Sequence, residues 1–506
     1  MPDTAIRIEL GRFGFYYGAL AACATLALLQ TALGGDPWPC LMLSGALYFG
    51  LLSAHTAGLL SAIGLLNLIL VVRVLVGAYF AKNVLLGDPI TEGLLSPDST
   101  SAAMLLGFAG VWLGTLVVVR FVRPLRWFGG EADVRQLRAI FVAMLVAGLA
   151  TTVAVRLSGS DGLEITGGGW GVVKTIASMR SLALPILMLL LWRSGARRWL
   201  MHPGVLALAV VLFAIGILST SKQAMAEPVV FYVLMALARY GWRHPIIWIG
   251  LPAALAFFQF FVYPISQYSR YSAVTESDPR RAAAAALDLV VDYARDSSFR
   301  EYVQQYAKNS VRKDDGTGYL PERIVFMQRF AMLGEADRLI SATDRLEYTR
   351  WDTIETSLLI VIPKFLYPNK PQLGAGNFLA RFSGDLPPTD YITMVSYGFI
   401  ANAYNAFGLL WVLPLTFVTL LLFAGPLSLV SSGPAYASVW SIFVLASMHQ
   451  VYAESSFTGI ISAFTQVAFA FLFFGMAALV QWIENQVGWT RTIGAQAADV
   501  HAQGRP

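Results

Sequence analysis

The run AGLLSAIGLLNLILVVRVLVGAYF, from Ala57 to Phe80, has 24 residues and one charged side chain, Arg73. A helix rising 1.5 Å per residue needs about 20 apolar residues to cross about 30 Å of hydrocarbon, so this stretch reads as a transmembrane span. The rest of the chain agrees. Of 506 residues, 56% are hydrophobic and 13% charged, and the mean hydropathy is +0.60. Such a composition excludes an ordinary soluble domain and predicts an all-α polytopic membrane protein.

Working outward, five further runs precede residue 200: Phe15 to Leu33, Trp38 to Ala54, Ala102 to Val119, Ala139 to Val155 and Ile176 to Trp192. Six follow: Gly204 to Leu218, Met225 to Ala238, Ile246 to Tyr263, Phe399 to Ala424, Ala435 to Tyr452 and Ile460 to Trp482. About twelve spans place both termini on one side. The first is too long for a signal-peptide core and stays as a span. With that side cytoplasmic, the cytoplasmic segments hold 14 arginines: Arg7, Arg12, Arg120, Arg123, Arg126, Arg135, Arg138, Arg193, Arg197, Arg198, Arg239, Arg243, Arg491 and Arg505. The short external loops hold four cations, Lys82, Arg156, Lys174 and Lys222. The positive-inside rule therefore sets the termini inside. The organisation is 1–263 (nine spans), 264–398 (a large, mostly helical external loop), 399–482 (three spans) and 483–506 (a cytoplasmic tail).

The segment 264–398 carries 16 Lys and Arg against 17 Asp and Glu. Helical periodicity predicts amphipathic helices at Pro279 to Tyr306 and Pro321 to Ala342, over the mouth of the bundle. Leu358 to Ile362 is too short to span and reads as re-entrant or interfacial. Then comes PKFLYPNKPQLGAGNFLARFSGDLPPTDYITMVSYGFIANAYNAFG, Pro363 to Gly408, where Pro, Gly, aromatics and cations are densest. Lys364, Lys370 and Arg381 beside a span suit an anionic lipid headgroup; an ordinary capping loop with solvated cations is the alternative.

Charge inside the spans costs about 2.5 to 3.5 kcal/mol at mid-helix on insertion scales, so Arg73, Arg180 and Glu227 are singled out. Arg180, Lys222 and Glu227 fall at external ends of spans six to eight and would share a vestibule, unless Arg180 and Glu227 neutralise each other or snorkel. Arg73 reads as a snorkelling anchor. Asp36 before Pro37 fits a turn, or an acidic residue of a glycosyltransferase first loop. Asp314 and Asp315 read as a turn, and the glycines of ITGGGWG lack the context of a phosphate loop. Cys23 and Cys40 lie in spans, and the five histidines show no ligand spacing, so neither a disulfide framework nor a metal site is predicted. Nothing indicates nucleic-acid binding.

STSKQA in the reversal at Lys222, RYS at Arg270 to Ser272, IPKFLYPNKP at Ile362 to Pro371 and AYNAFG at Ala403 to Gly408, with many spans and a late external loop, resemble the Wzy-type polymerases. These membrane glycosyltransferases join lipid-linked oligosaccharide repeat units into O-antigen, capsule or exopolysaccharide. Asn402 stands where relatives often carry Glu. The resemblance implies an enzyme of the bacterial inner membrane acting on a polyprenyl-pyrophosphate-linked oligosaccharide, with a chain-length regulator as a further partner. The leaving pyrophosphate would be met by Arg180 and Lys222, with Arg270, Arg323, Arg329, Lys364, Lys370 and Arg381 binding substrate. Glu227, Asp385, Asp390 or Glu454 would accept the hydroxyl proton, Glu227 being preferred. Tyr404 of AYNAFG joins the substrate-binding set. Tyr263, Tyr268, Tyr271, Trp351, Tyr391 and Tyr397 are candidates for stacking on sugars. Cations take the place of a divalent metal, so no cofactor is expected. A glycan ligase or another glycosyltransferase of the GT-C class would share the topology; a lipid-linked glycan flippase would need ionisable groups in both halves of the bilayer.

Overall fold

A computed structural model describes residues 12–125, 128, 134–157, 176–177, 179–196, 198–218, 222–240, 245–274, 279–309, 319–321, 327, 330–359, 367, 375–389, 395–431, 433–434, 438–454, 457, 459–479 and 482. Regular structure among them is helical, apart from an isolated bridge between Ser61 and Pro434. In chain order the helices are α1 (Arg12–Ala32), α2 (Pro37–Thr56), α3 (Ala62–Leu86), α4 (Pro97–Phe121) and α5 (Val134–Leu157). A 3-10 turn, Met179–Leu182, leads into α6 (Ala183–Arg193), followed by α7 (Pro203–Leu218), α8 (Lys222–Tyr240) and α9 (Pro245–Phe257). A π-helical turn, Phe258–Val262, joins α9 to α10 (Tyr263–Val274). The remainder are α11 (Pro279–Arg295), α12 (Ser297–Asn309), α13 (Leu333–Arg345), α14 (Asp352–Leu359), α15 (Ala375–Phe382), α16 (Gly398–Phe407), α17 (Leu409–Val430), α18 (Val439–Glu454) and α19 (Gly459–Leu479).

Seven of the described helices are long and apolar enough to cross a membrane: α1 to α5, α17 and α19. Shorter apolar helices lie at Pro203–Ile217, Ala224–Ala236 and Val439–Met448.

Local chemistry moves several boundaries. Asp36 is the N-cap of α2, its Oδ1 accepting from the Trp38 N–H at 3.0 Å, so its turn role is met. The apolar run at Ala57 does not begin a helix. Gly58 has φ +85°, and the Ser61 hydroxyl accepts from the Gly64 N–H at 2.9 Å, which starts α3 at Ala62. At the other end α3 continues past Phe80 to Leu86 through two π-helical turns, Val72–Val76 and Phe80–Leu86. Lys82, expected in a loop, is thus inside α3. It is 3% exposed, with its ammonium 4.7 Å from the Tyr319 ring centroid. The predicted helix from Pro279 to Tyr306 is two helices, because Asp296 caps α12 by accepting from the Ser298 N–H at 2.8 Å and its hydroxyl at 2.7 Å.

The predicted span from Phe399 to Ala424 is also broken, at Gly408, where φ is +81° and ψ −177°. A side chain there would meet strain in the backbone and the Tyr348 ring, whose Cζ lies 2.8 Å from the Cβ position. Gly408→Ala should cost about 1–3 kcal/mol, read as a lower thermal midpoint in detergent. Removing the ring as well, with Tyr348→Ala, should not restore the midpoint, since the dihedral penalty stays. An unchanged midpoint in the single variant would show that the break is not constrained.

Close packing holds the centre. Gly110 and Gly114 of α4 let α17 approach until Cβ positions on them would collide with Thr416 and Leu420. The buried Asn67 of α3 donates to Thr115 of α4 at 3.0 Å and accepts from the Tyr452 hydroxyl of α18, joining three helices. At one end of the bundle Leu125 N donates to Leu429 O at 2.8 Å, and Phe128 packs edge-on against Trp440 and Phe471.

The polar segment docks at the opposite end. The π turn in α3 leaves the Arg73 carbonyl available to the Met332 N–H at 2.9 Å. One helical turn on, Gly77 lies so close to the Phe330 carbonyl that no side chain fits. Asp337 of α13, 1% exposed, accepts from Leu95 N at 2.6 Å, Ser96 N at 3.0 Å and Thr100 Oγ1 at 2.7 Å, tying α13 to the segment that leads into α4. Burial pushes its carboxyl up from the ordinary value, with the three donors acting against that rise. On the other side of α13, Asn405 of α16 donates to Thr343 at 2.8 Å and accepts from Thr349 at 2.6 Å.

Candidate polar site at the mouth of the bundle

Two groups of functional side chains emerge from this packing. The first is built where α13, the turn after α15 and the start of α16 converge. Gly384, at φ +80°, ends α15, and the Leu386 N–H returns to Ala380 O at 3.0 Å. The returning chain sets the Asp385 carboxylate beside Ser383. Oδ2 of Asp385 accepts from Ser383 Oγ at 2.8 Å and from the Tyr397 hydroxyl at 2.5 Å, while Oδ1 lies 3.5 Å from Arg338 Nη1. Tyr397 is 3% exposed. Burial first, then the charge of Asp385 and the bond to it, push its phenol far above the usual range, so it remains a donor. Glu335, one turn before Arg338, adds to the same rise. Arg381 stands half-buried on the last turn of α15. Along α13, the Tyr404 hydroxyl donates to Asp344 Oδ1 at 2.5 Å, which makes Tyr404 a tie between α16 and α13.

The second group surrounds Arg180. Its Nη1 donates to Thr152 Oγ1 at 3.2 Å and to Ala177 O at 2.5 Å. Gly148 of α5 permits this approach: a Cβ there would stand 2.7 to 2.8 Å from the Arg180 backbone and Cβ. Thr152 lies 18 residues from Val134, about 27 Å along α5. The 3-10 turn that carries it touches α8 and α18 as well as α5. Glu227 sits half-buried in the second turn of α8, whose start packs against α7 at Gly216.

The structure thus sets Asp385 and Arg381 at the end of α15, holds Tyr404 apart from them against Asp344 of α13, and sets the element of Glu227 against that of Arg180. Lys222 opens α8 and Arg270 stands on α10, their side chains outside the described residues. Arg323, Arg329, Lys364, Lys370, Asp390, Asp314, Asp315 and Tyr391 lie outside the described residues, as do the side chains of Tyr271 and Glu454. Two proposed stacking residues differ in what they can do. Tyr397 is buried and cannot present its ring to a sugar, whereas Trp351 is 65% exposed, with Phe407 against its edge. Arg338, Asp337 and Ser383 were not anticipated. A signal existed for Asp337: it falls on the α13 stripe with Leu333, Ala336 and Ile340, and an acid on a core face needs a partner.

No family model, curated protein or solved structure matches this chain.

Proposed function

We propose that this protein is a membrane glycosyltransferase that polymerises polyprenyl-pyrophosphate-linked oligosaccharide repeat units into a surface polysaccharide. In this reading twelve segments cross the bacterial inner membrane, the termini are cytoplasmic, and the end that carries α13 to α16 faces outward. The observation that carries it is Arg180, a guanidinium seated by Thr152 of the apolar helix α5 and by the Ala177 carbonyl, on a 3-10 turn that also touches α8 and α18. A cation held in a partly dry seat stabilises an anionic leaving group more than a solvated one does.

The reaction asks for little else. An acceptor sugar hydroxyl attacks the anomeric carbon of the donor glycan, the bond to the pyrophosphate oxygen breaks, and the lipid pyrophosphate leaves with the electron pair. Arg180 and Lys222 receive the growing charge, and Glu227 takes the hydroxyl proton. Arg270, Arg323, Arg329, Lys364, Lys370 and Arg381 grip the substrates, and a chain-length regulator would set the product size.

The purified chain in lipid nanodiscs, given lipid-linked repeat units, is expected to make a ladder of polymer lengths that persists in excess chelator. A single transfer to another acceptor would point to a ligase, and movement of intact substrate without a new glycosidic bond to a flippase. Loss of the ladder in chelator, with rescue by magnesium or manganese, would overturn the metal-independent mechanism.

A further inference from the structure

α17 has 22 residues and so runs about 33 Å, close to the roughly 30 Å of hydrocarbon that a bilayer presents. Its last turn meets Leu125, so its first turn falls at the other boundary of that layer, where the polar segment docks. Trp411, Val418 and Leu422 lie exposed along one face at intervals of seven and four residues, the stripe that a spanning helix turns to lipid. The stripe continues past the helix. The Trp411 ring is 6.0 Å from that of Phe407, and the Phe407 ring is 5.1 Å from that of Trp351. Leu410, 89% exposed, flanks them, and Leu346 and Tyr348 stand exposed on the α13–α14 loop that also carries Trp351. The loop is held in place. Within 346–351 Thr349 alone is buried, its N–H donating to Asn405 O at 2.9 Å and its hydroxyl to Asn405 Oδ1 at 2.6 Å. Arg350, at φ +49°, then returns the chain to the surface. At the same end of the bundle a second exposed indole, Trp38, stands on the first turn of α2, where Cys40 faces Thr91.

We propose that this rim, made of Leu346, Tyr348, Trp351, Phe407, Leu410 and Trp411, is seated in the headgroup layer of the bilayer, so that the α13–α14 loop is a membrane-contacting part of the polar segment. This placement does not depend on the polymerase reading; it needs only that α17 crosses the membrane. Indole and phenol rings suit that depth, because each has an apolar body and a polar tip. The exposed leucines decide between lipid and sugar as the occupant, since a leucine offers a glycan neither a stacking face nor a hydrogen bond. Charge does not supply the attraction: over 344–355, Asp344, Glu347, Asp352 and Glu355 outnumber Arg345 and Arg350. Apolar burial supplies it, and the contact is therefore independent of anionic lipid. Trp351 meets phospholipid and not a sugar.

The test uses the full chain in phosphatidylcholine nanodiscs, with an environment-sensitive fluorophore on a new thiol at Trp351→Cys or Leu346→Cys. The parent, whose Cys23 and Cys40 are buried, serves as the labelling blank. Spin-labelled phosphatidylcholines quench according to depth, and iodide quenches from water. Both labels should emit at shorter wavelength than in water, resist iodide, and be quenched best by the lipid labelled nearest its headgroup. A label at Val418→Cys, seven residues beyond Trp411 on α17, should read about 10 Å deeper. Replacing part of the phosphatidylcholine by phosphatidylglycerol should leave these depths unchanged. Leu346 makes no ring contact, so its label decides the outcome if the Trp351→Cys chain misfolds. Quenching of the two rim labels by iodide and not by lipid would overturn the placement, and is the result for a sugar-stacking surface open to water. Protection from both quenchers would overturn it equally, since protein would then cover the rim. Labels that reach lipid only when phosphatidylglycerol is present would overturn it as well, because adhesion would be electrostatic.

Discussion

Arg180→Ala is expected to reduce polymer formation at least a hundred-fold while the protein accumulates normally. The magnitude follows from the cost of deleting one preorganised donor at a site of developing negative charge, about 10²- to 10³-fold in rate. Arg180→Lys should recover little, since an ammonium cannot both reach Thr152 and the Ala177 carbonyl and present a planar edge to a phosphate. Gly148→Ala supplies an independent check. It leaves Arg180 in place but pushes a methyl group against its backbone, displacing the guanidinium from its seat. Activity should fall with each variant, as measured by polymer ladder per unit of folded protein. Near-normal polymer from Arg180→Ala would rule out the role assigned to it.

Asp337→Ala should be the most damaging substitution for the fold. It removes the acceptor for the part-buried Leu95 and Ser96 N–H groups and for the buried Thr100 hydroxyl, and releases α13 from the segment that leads into α4. At about 1–3 kcal/mol for each group left unsatisfied, with water partly replacing the lost carboxylate, a loss of about 3–5 kcal/mol is expected. Asp337→Asn should fall between, because an amide keeps one acceptor oxygen but turns its NH₂ toward a donor. Thermal and denaturant unfolding in detergent measure the difference. A midpoint for Asp337→Ala within experimental error of the parent would mean that α13 does not depend on this anchor.

Much of the membrane character was legible from residue types, because hydrocarbon imposes one demand: about 20 consecutive apolar residues with their backbone hydrogen bonds closed internally. Trp38 to Ala54, Ala102 to Val119 and Ala139 to Val155 each lie within a helix, and Phe15 to Leu33 runs one residue past the end of α1 at Ala32. Where the prediction moved, a local polar contact outweighed average hydropathy. Ser61 and Gly58 set the start of α3 inside an apolar run, and Gly408 divides another that has no polar interruption at that point.

The candidate site was legible only as a list of ionisable residues. Arg180 stood out because charge in an apolar run is costly, and Asp385 and Arg381 stood out for their place in a Pro- and Gly-rich segment. Their roles depend on partners remote in the chain: Asp385 meets Arg338 from 47 residues away, and Asp337 meets Leu95 from 242.

By itself, then, the sequence determined an all-helical chain with apolar helices of membrane-spanning length, since composition and periodicity act within a few turns of one helix. Tertiary structure alone decided that Lys82 lies against an aromatic ring, that Tyr397 is a buried donor and not a stacking surface, and that Asp337 ties α13 to the segment leading into α4. The physical reason is desolvation. Whether a charged or phenolic side chain is solvated, paired or buried depends on which distant groups close over it, and that free energy is absent from any single window of sequence.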